Sequence, residues 1–441
     1  MRWQRAATLS DAIDQLTLMA DVRQSPLVAL MNTLSVQGRT GQTGEAIADS
    51  LVKSARQLFN RDNPPAIDQQ SGSRGPLDAT FGPVLALLDN RDGGTPTSRL
   101  SLQTFLTRVT QVRLRLQQVT NATDPQAMTR LLAQTVFQGK AVDLTETRDY
   151  GSLVAAGLGQ EWSGFGQTLF VRPMEQAWQQ VLTPAAESLN AQWRSAVVED
   201  WNSAFGGRYP FKNTSSEVSL PLLAKYLDSE TGRIARFLQT RLNGVLHKEG
   251  SRWMADSINA QGLTFNPAFL QAMNTLSHLS DVAFANGEAG LHFALRPGTA
   301  DGVMQTELVI DSQKLVYMNQ MPVWRRFSWP ADTEAPGASL SWISTRAGTR
   351  QYGDFPGAWG WIRLLDKAVV SAYPGTSSSW SLSWKAPDGL LLNYTLRTEA
   401  GEGPLALLAL RNFTLPETIF SVRASAERVP LTDDIPGEEG Y

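Results

Sequence analysis

Residues 380 to 396 read WSLSWKAPDGLLLNYTL, two alternating apolar runs around a Pro-Asp-Gly turn. Proline fixes φ, aspartate supplies a side-chain acceptor and glycine accepts a positive φ, which together make a tight reversal. Trp380, Leu382 and Trp384, then Leu390, Leu392, Tyr394 and Leu396, have period two, so each run lays its apolar side chains on one face of a strand. The alternation extends upstream through Leu291, Phe293 and Leu295, then Thr306, Leu308 and Ile310, a turn at Asp311 and Ser312, and Leu315 and Tyr317. Seven of the 13 tryptophans follow residue 320. Residues 285–422 are therefore expected to form a β-sandwich or small barrel, with one helix near Trp361 to Val370.

The first two thirds carry a different period. Leu9, Ile13, Leu16 and Met19 recur at helical spacing, as do Ile47, Leu51, Ala55 and Leu58. Leu102, Leu106, Val109, Val112, Leu116 and Val119 form a further stripe, with Arg108, Arg113 and Arg115 expected on its solvated face. Two stretches rich in turn residues, 60–76 (NRDNPPAIDQQSGSRGP) and 89–98 (DNRDGGTPTS), read as linkers. A loop containing Gly151, Gly157 and Gly159 sets a boundary near residue 145. After Pro184, the residues Leu189, Trp193, Val197, Trp201 and Phe205 step by four. Each step departs from a whole helical turn by about 40°, so the five sweep a face about 160° wide. Such a stripe belongs against a large core. The resulting expectation is a multidomain α+β chain: helical domains at 1–145 and 146–284, a sandwich at 285–422, and an acidic tail at 423–441.

Composition narrows the function. Of 441 residues, 42% are hydrophobic and 18% charged, enough for packed cores and too little charge for a disordered chain. Basic residues number 39 and acidic residues 42, so the chain lacks the basic excess of non-specific nucleic-acid or anionic-lipid binders. The tail holds two basic and five acidic residues, leaving 37 of each elsewhere; the net charge of −3 lies wholly in that segment. Its composition buries too little surface to offset an ordering cost of roughly 1–2 kcal/mol per residue, so it is expected to be mobile unless an assembly orders it. No cysteine is present, which removes disulfides, thiolate chemistry and zinc-thiolate sites. No window approaches the length of an apolar membrane span, and Asp11 and Asp14 interrupt the apolar pattern at the start.

The signatures of catalysis are missing. Gly139-Lys140 is followed by Ala141, which lacks the hydroxyl of a phosphate loop, and no nucleophile elbow occurs. His247, His278 and His292 have no metal-site spacing, and no cofactor, metal or catalytic residue is assigned. What remains distinctive is Gly207-Arg208-Tyr209-Pro210-Phe211, together with the strip from Phe355 through Trp359 and Trp361 to Asp366.

These motifs, with Trp329-Pro330, the 380–396 hairpin and Asn412-Phe413-Thr414-Leu415-Pro416, resemble the IcmF/TssM family of the bacterial type VI secretion system, over roughly residues 100 to 422. The resemblance implies the periplasmic C-terminal region of an inner-membrane protein whose anchor lies outside this chain. It further implies a non-enzymatic scaffold that binds an outer-membrane lipoprotein (TssJ), associates with the inner-membrane protein TssL and assembles into a ring. A sandwich offers loops at its ends, and the polar or Gly/Pro-rich candidates are 332–337, 346–354 and 373–379. Arg and Tyr are enriched at interface hot spots, so Arg346, Arg350, Tyr352 and Tyr373 are the expected partner-binding residues. One alternative is a glycan-binding module, for which exposed members of Trp342, Trp359, Trp361 and Trp380 would stack on sugar rings; another is a hydrolase with two carboxylates paired in space.

Overall fold

The computed structural model describes residues 8–39, 78–88, 100–140, 142–256, 263–285 and 288–421. The stripe at residues 47–58, both linkers and the 423–441 tail lie outside the described residues. The helical part contains α1 (Leu9–Ala20), α2 (Pro26–Arg39), α3 (Asp78–Leu88), α4 (Leu102–Thr120), α5 (Pro125–Phe137), α6 (Val142–Gly157), α7 (Arg172–Trp193), α8 (Glu199–Phe205), α9 (Leu220–Leu227), α10 (Arg233–Arg241) and α11 (Pro267–Ala283). A short hairpin, β1 (Leu246–Glu249) and β2 (Arg252–Ala255), lies among these helices.

Their ends are set by local chemistry. Thr8 and Asp11 form a reciprocal capping box on α1, and Ser101 and Asp124 cap α4 and α5. Of the glycines expected to form a loop, Gly151 and Gly157 lie inside α6 and only Gly159, at φ +82°, sits at the turn that follows it. A Cβ on Gly151 would lie 2.6 Å from the Phe170 carbonyl, so glycine there lets two segments touch backbone to backbone. The aromatic stripe also differs from a plain helix. The α7 helix begins at Arg172, runs through Pro184, and joins α8 through a π-helical turn at Arg194–Val198. One extra residue in that turn cuts the accumulated sweep from about 160° to about 60°. Leu189, Trp193, Val197, Trp201 and Phe205 are all buried as a result. Arg108 is half-buried over the Tyr150 ring and paired with Glu146, so the α4 arginines are less solvated than their spacing implied.

After residue 290 the chain is antiparallel β. One sheet has the order β6–β3–β11–β10–β9 and the other β5–β4–β7–β8. Their strands are β3 (Leu291–Pro297), β4 (Val303–Ile310), β5 (Gln313–Tyr317), β6 (Arg325–Trp329), β7 (Gly337–Ser344), β8 (Gly348–Pro356), β9 (Val369–Ala372), β10 (Ser379–Lys385) and β11 (Leu391–Thr398). The inward sets Phe293, Leu295, Trp384, Leu392 and Leu396 on one sheet, and Leu308, Ile310, Leu340 and Trp342 on the other, are buried. At the quoted hairpin, Gly389 has φ +86° and the Asp388 carboxylate accepts from Leu390 N. Helix α12 is shorter than expected, Gly360–Asp366, because Val369–Ala372 pairs with β10 as an edge strand.

A 3₁₀ helix (Gly403–Leu410) then leads into a strap, residues 411–421, that crosses back to the helices. Trp193 Nε1 donates to Pro416 O (2.8 Å), and Asn266 Nδ2 donates to Thr418 O (3.1 Å). Asn190, buried on α7, accepts from Ile419 N and Phe420 N through Oδ1 and donates from Nδ2 to Phe420 O. One side chain thus satisfies three backbone groups that the antiparallel bridge between Phe265 and Phe420 leaves unpaired. Replacing Asn190 by Ala should cost about 1–3 kcal/mol, the scale of leaving buried polar groups unpaired. A lowered urea midpoint together with faster proteolysis after residue 410 is the expected result.

Candidate functional site

The family-like motifs converge on one place, the joint between helices and sandwich. Gly207, at φ +72°, turns the chain out of α8 and into Tyr209, whose peptide bond to Pro210 is cis. Tyr209 N donates to Ser216 O (2.8 Å) and Tyr209 O accepts from Val218 N (2.9 Å), so the segment closes on itself as a clip held by one parallel bridge between Tyr209 and Glu217. Arg363 of α12 reaches into this clip. Its guanidinium lies 3.9 Å from the Tyr209 ring centre, Nε donates to Glu217 Oε2 (3.1 Å) and an NH2 donates to Thr214 O (2.8 Å). Both charged side chains are largely buried. Burial, with the Asp366 carboxylate nearby, pushes the Tyr209 phenol well above its ordinary range.

Tryptophans seal the same joint. Trp359 Nε1 donates to Val218 O (2.8 Å), Trp329 Nε1 to Ala358 O (3.1 Å) and Trp384 Nε1 to Leu364 O (2.9 Å). Trp361 stacks on Phe293 at 5.6 Å. Asn412 N donates to Phe211 O, and Phe413 packs against Trp201 and Phe211, which brings in the start of the strap. Arg411 pairs with Asp366. This is packing and bracing chemistry. The indoles of Trp342, Trp359 and Trp361 are buried and Trp380 is half-buried, so the aromatic platform required for sugar stacking is absent from these positions.

The four expected interface residues are not one cluster. Arg346 lies in the β7–β8 turn, at the sandwich end remote from the helices, and is exposed. Arg350 and Tyr352 lie along β8, an edge strand; Tyr352 is the extra residue of a bulge, since Leu340 pairs with Gly353 and Ser341 with Gln351. Tyr373 follows edge strand β9 at the end nearer the helices and is exposed. Loop 332–337 is also at the near end, tied by the buried Asp311 carboxylate to Ala331 N and Gly337 N. Sequence reading missed a set of exposed apolar residues at the remote end: Met304, Met318, Met321, Val323 and Leu391. The signal was the Met-Asn-Gln-Met-Pro-Val run at 318–323, which breaks the alternation between two strands. The three histidines are exposed and hydrogen-bonded to Glu249, Glu402 and Ser328 respectively. Among the described residues no cluster of acidic or histidine side chains could hold a metal, and no helix is long and apolar enough to cross a membrane.

Residues 184–289 match the family model "Type VI secretion protein IcmF helical domain", and residues 293–400 match "Type VI secretion protein IcmF C2-like domain". A chain of a solved "Type VI membrane complex" is 68% identical, with a TM-score of 0.76, over 95% of this chain and 81% of that one. The chain belongs to the IcmF/TssM family. A "Type VI secretion system membrane core complex" holds a chain also 68% identical, with a TM-score of 0.63, over 96% of this chain and 80% of that one. The "T6SS protein TssM C-terminal domain" from EAEC is 74% identical over 54% of this chain and all of its own length, with a TM-score of 0.53. The "Type VI secretion system component TssM1" of Pseudomonas aeruginosa is 25% identical over 234 residues, 52% of this chain. The IcmF/TssM chain described here spans about a fifth of that curated relative, 21% of its length.

The joint generates a sharp test. Gly357 has φ +102°, and a Cβ there would lie 2.2 Å from Glu217 Oε1. Gly357→Ala should destabilise the chain by roughly 1–3 kcal/mol from backbone strain alone, and displace Glu217 from Arg363. Urea denaturation reads the first effect. The second should appear as increased hydrogen exchange across residues 209–218, with little change in β10 and β11.

Proposed function

We propose that this chain is a periplasmic, non-enzymatic scaffold of the type VI secretion membrane complex, binding an outer-membrane lipoprotein of the TssJ kind through its C-terminal region. Association with TssL and ring-forming self-assembly belong to the same reading. The observation that carries it is the joint. Arg363, Glu217, Tyr209 and Trp359 fix the sandwich to the helices through buried contacts, as a strut that holds partners at set positions would require. The family match and the likeness to chains of two type VI membrane complexes support the setting.

Arg346, Arg350, Tyr352 and Tyr373 remain the proposed partner contacts, spread along one lateral edge and the two ends of the sandwich. Such a spread suits a partner that lies along edge strands β8 and β9, whose outward backbone groups have no neighbouring strand among the described residues. Alanine variants of each should weaken binding to the purified soluble domain of the lipoprotein, measured by calorimetry. A hot-spot residue costs about 2 kcal/mol or more, roughly thirtyfold in affinity. Unchanged affinity in all four folded variants would remove the lipoprotein assignment from this edge. The non-enzymatic reading is tested separately: the pure chain is expected to turn over neither ATP nor peptidoglycan, and turnover lost on changing a single carboxylate or histidine would overturn it.

A further inference from the structure

The sandwich end remote from the helices is built from four connections, residues 298–302, 318–324, 345–347 and 386–390. They form one continuous surface. Thr345 N donates to Gly302 O (3.1 Å), Asn319 Nδ2 to Val303 O (2.9 Å) and Gly298 N to Asn393 O (2.8 Å), while the Leu390 side chain packs against Gly302. Met321 is 85% exposed on it, Val323 65% and Met318 61%, with Met304 and Leu391 about half exposed. Local backbone devices keep these groups outside. Met304 is the extra residue of a bulge, because Val303 pairs with Ser344 and Gln305 with Ile343, and bulges re-aim side chains. Asn319 takes φ +62°, turning the crossover outward between Met318 and Met321. Singly exposed apolar residues are ordinary, whereas five gathered at one end mark a contact surface.

The charge around them has one prevailing sign. Arg296, Arg325, Arg346 and Lys385 are exposed on or beside these connections, against Asp301 and Asp388. This end is therefore basic in a chain whose net charge is −3, a feature that whole-chain counting averages away. Apolar side chains at loop tips, ringed by cations, have the polarity order of a headgroup–acyl boundary: methionine and valine enter the apolar layer while arginine and lysine meet phosphates. A protein partner could use the apolar groups alone. The cationic ring complements an anionic headgroup layer as well, and that complementarity favours lipid.

We infer that the remote end of the sandwich is a phospholipid contact surface, with Met318, Met321 and Val323 entering the bilayer boundary and Arg296, Arg325 and Lys385 engaging anionic headgroups. The inference rests on the membrane-complex reading, and adds to it a direct contact with a bilayer independent of any lipoprotein. The test is flotation of the full chain with vesicles of phosphatidylethanolamine and phosphatidylglycerol, and with phosphatidylcholine vesicles alone. The chain should float with the anionic vesicles, less with the neutral ones, and less as salt is raised. Met321→Asp combined with Val323→Asp should reduce partitioning about tenfold or more, the scale of two apolar side chains withdrawn from the acyl layer. Arg325→Glu combined with Lys385→Glu should abolish the preference for anionic vesicles. No flotation of the full chain, or flotation indifferent to the double aspartate variant, would overturn the inference. So would loss of lipoprotein binding by the double aspartate variant in the absence of any vesicle binding, which would make the surface a protein interface. Lipoprotein binding is measured without vesicles, so its failure would count against the proposed function and leave the flotation result standing.

Discussion

The Arg363 guanidinium is the point on which the two parts of the molecule depend. It belongs to the sandwich side of the chain, yet its contacts with Glu217, the Thr214 carbonyl and the Tyr209 ring come from the helical side. A charge largely withdrawn from water is tolerable only when paired and hydrogen-bonded. Sliding the sandwich over the helices would part Arg363 from Glu217 while Trp359 and Tyr209 still wall both off from water. Rotation of one part against the other is therefore opposed by an electrostatic cost as well as by lost packing. The geometry also explains why glycine occupies position 357: the space a side chain would take is already filled by the Glu217 carboxylate.

The motifs that mark the family lie far apart in sequence and meet in space at this joint. Tyr209 and Phe211 come from the clip after α8, Trp329 from the end of β6, Trp359 and Arg363 from the turn into α12, and Asn412 and Phe413 from the first residues of the strap. Asn412 supplies its backbone N–H to Phe211 O, and each of the others supplies either an indole or guanidinium donor to a backbone carbonyl or an aromatic ring to a shared cluster. The family signature is thus the signature of an interface inside the chain.

How much of this was legible beforehand depended on the range of the interaction involved. Period-two alternation at 291–295, 306–310 and 380–396 gave the strands, because register with a neighbouring strand preserves the alternation that the pleat imposes. The stripe from Leu189 to Phe205 gave the buried face but hid the π-helical turn, since a four-residue step reads alike whether a sweep is wide or has been reset. The strap was illegible: Asn190 meets Phe420 across 230 positions, and nothing local to either residue announces the other. The candidate interface was legible only as residue types. Spacing could not show that Arg346 and Tyr373 sit at opposite ends of one sandwich, nor that a bulge turns Met304 outward.

The strap gives the molecule a property beyond stability. The polypeptide enters the sandwich after α11 and leaves it through residues 411–421, and both crossings lie at the end next to the helices. Traction applied to the helical part would reach the sandwich through two covalent tethers side by side, with the Arg363 contacts between them. Strands cannot then be peeled off one at a time from the exit side, because the strap leaving the sandwich is itself bound to α7 through Asn190. Loaded in this way the domain behaves as a closed loop held at its neck. Tension is shared as shear across the joint.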